Sequence, residues 1–194
     1  MTAEENEQLL DKLVKLVSEG DNKGESQAVA DYNEAGSAKI NEALRGQVET
    51  KKSKAFMAEF ERLNNYEGVS YRVAFVTPQG ADALKTGRNK VFYDRGVQSA
   101  SVMPTNARQW ASDGFVTEGR AGNEVPVVYI FDESVNQKIL SNSFFPDHVA
   151  VKPNAYLELR AVRNVKGQLY VYFSSPTKVP DNIYNLYDGV RESI

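Results

Sequence analysis

The spacing of apolar residues divides the chain into two parts. In residues 3–18, Leu9, Leu10, Leu13, Leu16 and Val17 recur at i, i+3 and i+4 intervals, which predicts an amphipathic helix. The polar stretch EGDNKGES at 19–26 carries two glycines and reads as a loop. Residues 27–46 pattern as one broken helix or two short ones, with Ile40, Ala43 and Leu44 on one face and Gly46 as a C-terminal stop. Residues 48–64 give a further helical pattern, with Phe56, Met57, Phe60 and Leu63 on one side. From residue 69 strand formers take over, and strands are predicted at 69–76, 91–102, 125–131, 156–162 and 168–174. Short helices are predicted at 80–86, between Gly80 and Gly87, and at about 105–112, with Thr105 as N-cap. The segment RNVKG at 163–167 is hairpin-sized. The tail 176–194, with two prolines, is expected as an irregular cover. Helices first and strands afterwards predict an α+β fold, with one domain over 27–194 preceded by a helix and linker at 1–26.

Composition narrows the chemistry. The 194 residues suffice for one sizeable domain, and 41% hydrophobic with 25% charged residues is ordinary for a globular chain. Twenty-three basic and 26 acidic residues give a net charge of −3, which argues against a global grip on nucleic acid while leaving room for a local basic groove. The locally basic run TKKSKAF at 50–56 reads as a solvated helix face. No cysteine is present, so disulfides, thiolate zinc sites and cysteine nucleophiles are excluded, and the single histidine, His148, excludes multi-histidine metal sites. No apolar run has membrane-spanning length. The start MTAEENEQLL lacks a basic region and an apolar core, so the expected location is the cytoplasm where the chain is made.

Three polar features interrupt the predicted strands. Arg72 shares a parity with Ser70 and Ala74, opposite Tyr71, Val73 and Phe75. Ser99 and Ser101 flank Ala100 and so point to one face, just ahead of a helix. Glu158 shares a face with Tyr156 and Arg160, opposite Leu157, Leu159 and Ala161. Taken singly, simple alternation with a solvent-facing side accounts for each.

Taken in order, they resemble the mono-ADP-ribosyltransferase family of the Arg-Ser-Glu class. That family has a Tyr-Arg strand, then a strand ending Ser-x-Ser before a helix, then a late strand with an acidic motif followed by an apolar run. The resemblance covers roughly residues 27–174. INEALRG at 40–46, after Tyr32, is similar to the family's Ile-Asn-x-x-Leu-Arg helix. GVQSAS at 96–101 keeps the glycine and outer serines of Gly-aromatic-x-Ser-Thr-Ser but has Val97 and Ala100 in place of the aromatic and the threonine. Ala107 and Trp110 suit the following helix, and YLE at 156–158 before LRAV matches the acidic motif.

The resemblance implies two packed, mainly antiparallel sheets behind N-terminal helices. It also implies cleavage of the nicotinamide–ribose bond of NAD, without a metal, and transfer of ADP-ribose to a macromolecular acceptor, a protein in particular. The transition state is oxocarbenium-like. Glu158 is then expected to stabilise it, Arg72 to bind the diphosphate through paired charge-assisted bonds, and Ser99 with Ser101 to orient the glutamate or hold the ribose. Tyr71 is counted with the NAD-binding residues. Tyr156, two residues before the glutamate, and Phe145, beside Phe144 in the loop 142–154, are counted as acceptor-recognising, although core packing also accounts for the two phenylalanines. Tyrosine, with a pKa near about 10, is a poor base at neutral pH, which puts an arginine-directed reaction in doubt. The compact size and the absence of a signal sequence lean toward the phage proteins of this family that modify host machinery, over its toxins. Hydrolysis of NAD, and binding of NAD without turnover, are alternatives, as is an unrelated α+β domain. His148 reads as a surface residue of a loop. The test set for a structure is that Arg72, Ser99 and Glu158 converge on one cleft.

Overall fold

Residues 4–5, 7–12, 27–33, 37–112, 122–142 and 145–193 are described by the computed structural model. Of the first expected helix, residues 4–5 and 7–12 are helical, while its remaining residues and the loop at 19–26 lie outside the described residues. Three helices follow: α1 (Gln27–Asp31), α2 (Ser37–Arg45) and α3 (Lys51–Phe60). Thr50 caps α3 in a capping box with Ser53, and the buried Lys138 donates through Nζ to the carbonyls of Glu61 and Leu63 at its C-terminal end. Lys51, Lys52 and Lys54 are exposed, as a solvated face requires. These helices bury Val29, Tyr32, Ile40, Phe56 and Phe60 against Val97, Leu140 and Ala150.

The rest of the chain forms β1 (Asn65–Tyr66), β2 (Ser70–Val76), α4 (Pro78–Lys85), β3 (Val91–Asp94), β4 (Gln98–Ser101), α5 (Pro104–Ser112) and β5 (Val125–Phe131). After these come β6 (Gln137–Ile139), β7 (His148–Val151), β8 (Ala155–Val165), β9 (Gln168–Ser174), β10 (Asn182–Asn185) and β11 (Arg191–Ser193). Hydrogen bonding runs in the order β1-β6-β7-β4-β2-β5-β9-β8-β3-β10-β11. Pairing is antiparallel except for β5 with β9 and β10 with β3. One registered pair, Tyr71 with Ser101, joins β2 to β4, so the sheet nearly splits there. The two halves share one core: Ala100, Val149 and Val151 from one side pack with Ala74, Tyr129, Leu159 and Phe173 from the other. This is the α+β, mainly antiparallel arrangement expected from the sequence.

Three details differ from the sequence reading. The expected strand 91–102 breaks at 95–97, and its pieces part company: β3 joins β8 while β4 joins β7 and β2. The break is built by Asp94, whose carboxylate accepts the Gly96 N–H at 2.7 Å and both guanidinium N–H groups of Arg45, at 3.0 and 2.9 Å. Gly96 lies close under the Arg45 guanidinium, which a Cβ there would meet at 2.8–2.9 Å. The expected loop 142–154 contains β7, and β6 lies just before it; both are too short for alternation to reveal. The tail holds β10 and β11, with Leu186 buried in the main core.

Candidate active site

β4 is the centre of the site because it lies where the sheet nearly splits. On one face it carries Ser99 and Ser101, in line with Val97 just before it, which packs against the helices. Ser99 Oγ lies 2.7 Å from the hydroxyl of Tyr32, where α1 widens into a π-turn. Tyr32 is held flat against Phe56, with ring centroids 4.6 Å apart and planes at 20°. Arg72 is buried, at 6% exposure, and donates from NH1 to the Ser99 carbonyl at 3.0 Å. It does not face solvent, although alternation along β2 is consistent with that. Burial, then the nearby charge of Arg45, bring its pKa down to about 10, so it remains a cation at neutral pH. Burial would raise Asp94, but the charge and hydrogen bond of Arg45 outweigh that and hold it below the usual carboxylate range. Two guanidinium groups and one carboxylate thus lie beneath the serine strand.

β7 runs antiparallel to β4 and places Ala150 opposite Ser99 and His148 opposite Ser101. His148 is buried, at 7% exposure, contrary to the expectation of a surface residue. Its ring packs edge-on to Trp110, with centroids 5.6 Å apart, and nearly parallel to Tyr32, at 6.3 Å. Burial, then the charge of Arg72, lower its pKa to about 3, so the ring is neutral at pH 7. Its Nε2 is buried without a hydrogen-bond partner. A cavity of about 80 Å³ opens between α1, β4, α5 and β7, lined by Tyr32, Asn33, Ser37, Ser99, Trp110, Phe145 and His148. A cavity of about 150 Å³ is known to take a benzene ring, so this one is smaller than a ring-sized ligand needs.

The expected site residues therefore divide. Arg72 and Ser99 meet. Ser101 is fully buried, donates to the Asp147 carboxylate and accepts the Met103 N–H at 2.9 Å, so it fastens the start of α5 to the turn before β7. Phe145 forms a wall of the cavity, edge-on to Trp110 at 5.8 Å. Phe144 lies outside the described residues. Tyr71 points to the opposite face of β2 from Arg72, into an open groove with Leu9, Ile130 and Tyr172. Glu158 does not join the group. It sits on β8, separated from β4 by β2, β5 and β9, between Val91 and Ser174 in register, and its carboxylate pairs with Arg160 at 3.4 Å. Tyr156 is beside it and 38% exposed. The reason is strand order. Within the sheet the neighbours of the serine strand are β7 and β2, not β8. The cue to β7 was the short apolar run Val149-Ala150-Val151 after His148. Among the described residues, no group of three or more His, Asp or Glu side chains is disposed to hold a metal ion.

No protein-family model and no curated protein matches the sequence. Solved structures do. Vis, an ADP-ribosyltransferase toxin of Vibrio splendidus, in complex with agmatine, aligns over 100% of this chain and 96% of its own with a TM-score of 0.70 at 18% identity. Exoenzyme S from Pseudomonas aeruginosa, bound to carba-NAD and to human 14-3-3 protein beta, aligns over 88% of each chain with a TM-score of 0.54 at 19% identity. C3stau2 from S. aureus, with NAD, aligns over 92% of this chain and 97% of its own with a TM-score of 0.56 at 9% identity. The structural neighbours are mono-ADP-ribosyltransferases, and at these identities the likeness is one of fold.

Proposed function

We propose that the chain binds NAD at the cavity between α1, β4 and β7. The nicotinamide and its ribose lie against Tyr32, Ser99, Trp110 and His148, and the charge of Arg72 favours the diphosphate. The observation that carries this reading is the junction of Tyr32, Ser99 and Arg72 at the split of a sheet whose fold is shared with enzymes solved with NAD or carba-NAD. The residues suit the ligand. Aromatic walls accept a planar ring, hydroxyls and an unpartnered imidazole nitrogen accept ribose or carboxamide groups, and a buried guanidinium attracts an anion.

ADP-ribosyl transfer to a macromolecular acceptor, a protein, is the second reading, favoured by the fold of the neighbours. Hydrolysis of NAD is its simpler form. Both need negative charge beside the forming ribosyl cation. The cavity lining supports binding more strongly than cleavage, because its titratable side chains are Tyr32 and a neutral His148 and the charge felt at His148 is the cation of Arg72.

Two measurements decide between these. Titration calorimetry with NAD shows saturable heat for the wild type, and weakened binding on Ser99→Ala ties it to this cavity. Absence of heat removes the binding reading. Incubation with labelled NAD and a cell lysate separates the rest: labelled protein establishes transfer, and nicotinamide release without label establishes hydrolysis.

A further inference from the structure

We propose that Asn41 is a positioning residue: it sets the direction of the hydrogen bond between Tyr32 and Ser99 and so makes Ser99 a donor toward the ligand. The inference rests on the NAD-binding reading for the identity of that ligand. The distance of 2.7 Å between Tyr32 OH and Ser99 Oγ fits either donor. The groups behind it break the tie. The main-chain N–H of Val97 donates to Asn41 Oδ1 at 2.8 Å. A main-chain N–H can only donate, so the amide is turned with Nδ2 toward Tyr32, whose hydroxyl it reaches at 3.4 Å. An amide nitrogen can only donate as well, so the Tyr32 oxygen accepts there. Its own proton then goes to Ser99 Oγ. Both Asn41 and Tyr32 are buried, at 8% and 2% exposure, so solvent does not supply a competing partner. A phenol is also the stronger acid of the two hydroxyls and the better donor.

Ser99 Oγ therefore accepts from Tyr32 and keeps its own proton. Among the described residues no acceptor is recorded for that proton, and Ser99 is half-buried on the cavity wall. The ligand atom in front of it is an acceptor: the carboxamide oxygen of nicotinamide or an oxygen of the adjoining ribose. The relay runs from β4 through α2 to α1 and back to β4. It gives the asparagine of INEALRG a role that side-chain burial alone does not.

Asn41→Asp is the test, because it keeps the size and removes the donor. The introduced carboxylate accepts from both Val97 and Tyr32, the Tyr32 oxygen then accepts from Ser99, and Ser99 has no proton left for the ligand. Without ligand, the C–O vibrational band of Tyr32, isolated by difference against Tyr32→Phe, shifts in Asn41→Asp, and an unshifted band overturns the relay. Ser99→Ala serves where the aspartate variant does not fold. It moves the same band to the non-donating position, and a band that instead moves as if an accepted bond were lost overturns the assignment. With NAD, Asn41→Asp lowers affinity about tenfold, and in a Tyr32→Phe background it lowers it no further. A tenfold loss in that background as well shows that Asn41 does not act through Tyr32. Failure of the wild type to bind NAD removes the ligand's identity, and the ligand-free band still decides the relay.

Discussion

Two strand faces with the same alternating polar pattern end up in opposite circumstances. On β4, Ser99 meets Tyr32 of the helical layer, and Ser101 is buried against Asp147 at the start of α5. On β8, Tyr156 and Arg160 are exposed, and Glu158, with its side chain 20% exposed, is tied to Arg160. Parity assigns a residue to a face. Whether that face becomes a site depends on what covers it and on which strand lies next to it. The helical layer covers the β4 face at Ser99, and the neighbouring β7 contributes His148. The β8 face has neither.

The largest expected effect tests the cover. Phe56 is fully buried and stacked on Tyr32, and Phe56→Ala is expected to cost about 3–5 kcal/mol in urea denaturation. Tyr156→Ala on the open face is expected to stay within about 0.5 kcal/mol. Equal costs would mean that the helices do not pack as a layer on β4, and the contrast between the two faces would collapse.

The next largest tests the neighbour. The folded pKa of His148 lies below its unfolded value, so the unfolded chain binds the proton first as pH falls. The stability held in the neutral ring is complete above about pH 6.5 and drains away toward about pH 3. Between pH 7 and pH 4.5 the wild type is expected to lose about 2–3 kcal/mol more than His148→Gln, which cannot charge. Parallel acid dependence in the two proteins would put His148 in water and empty the β7 side of the comparison.

A smaller effect is expected at Arg72. Arg72→Lys keeps a cation in form but not the planar donor set that reaches the Ser99 carbonyl. Burial and Arg45, which lower the arginine to about 10, act on a lysine that starts from about 10.4, so the replacement is closer to losing its proton at neutral pH. NAD affinity by calorimetry is expected to fall about tenfold, about 1.4 kcal/mol. An unchanged affinity would detach Arg72 from the cavity.

What the sequence made legible follows from length and periodicity. The long strands at β2, β5, β8 and β9 and the helices α2 and α3 show clear alternation or helical spacing, and each lies close to its expected place. The meeting of Arg72 and Ser99 was legible because Tyr71-Arg72 and the outer serines of 99–101 are kept, although Val97 and Ala100 depart from the serine motif. The third site position was not. β7 has four residues, all buried, and a strand buried on both faces does not alternate. The break at 95–97 was hidden as well, because Val91 to Val102 reads as one run, and Asp94, which divides it by accepting the Gly96 N–H, is held by a bidentate bond from Arg45 across 49 residues. Non-local partners of this kind decided where the strands went, and local pattern does not contain them.

The smallest expected effect is at Glu158. Its carboxylate meets Arg160, whose side chain is 54% exposed, across 3.4 Å, and such a pair contributes little once screened by water and salt. Three strands, β2, β5 and β9, separate it from the serine strand. Glu158→Gln is therefore expected to leave NAD affinity and any nicotinamide release at wild-type levels, with stability within about 0.5 kcal/mol. Its companion Ser99→Ala is expected to lower NAD affinity at least about tenfold. The pair is informative because the two residues stand alike in the sequence, each a polar group on a strand face ahead of a turn or an apolar run. If Glu158→Gln removes nicotinamide release while Ser99→Ala spares it, the chemistry belongs to the open face and the covered one is scaffold. If the results run as expected, the identity of the residue beside the serine strand governs the site, and that residue is His148.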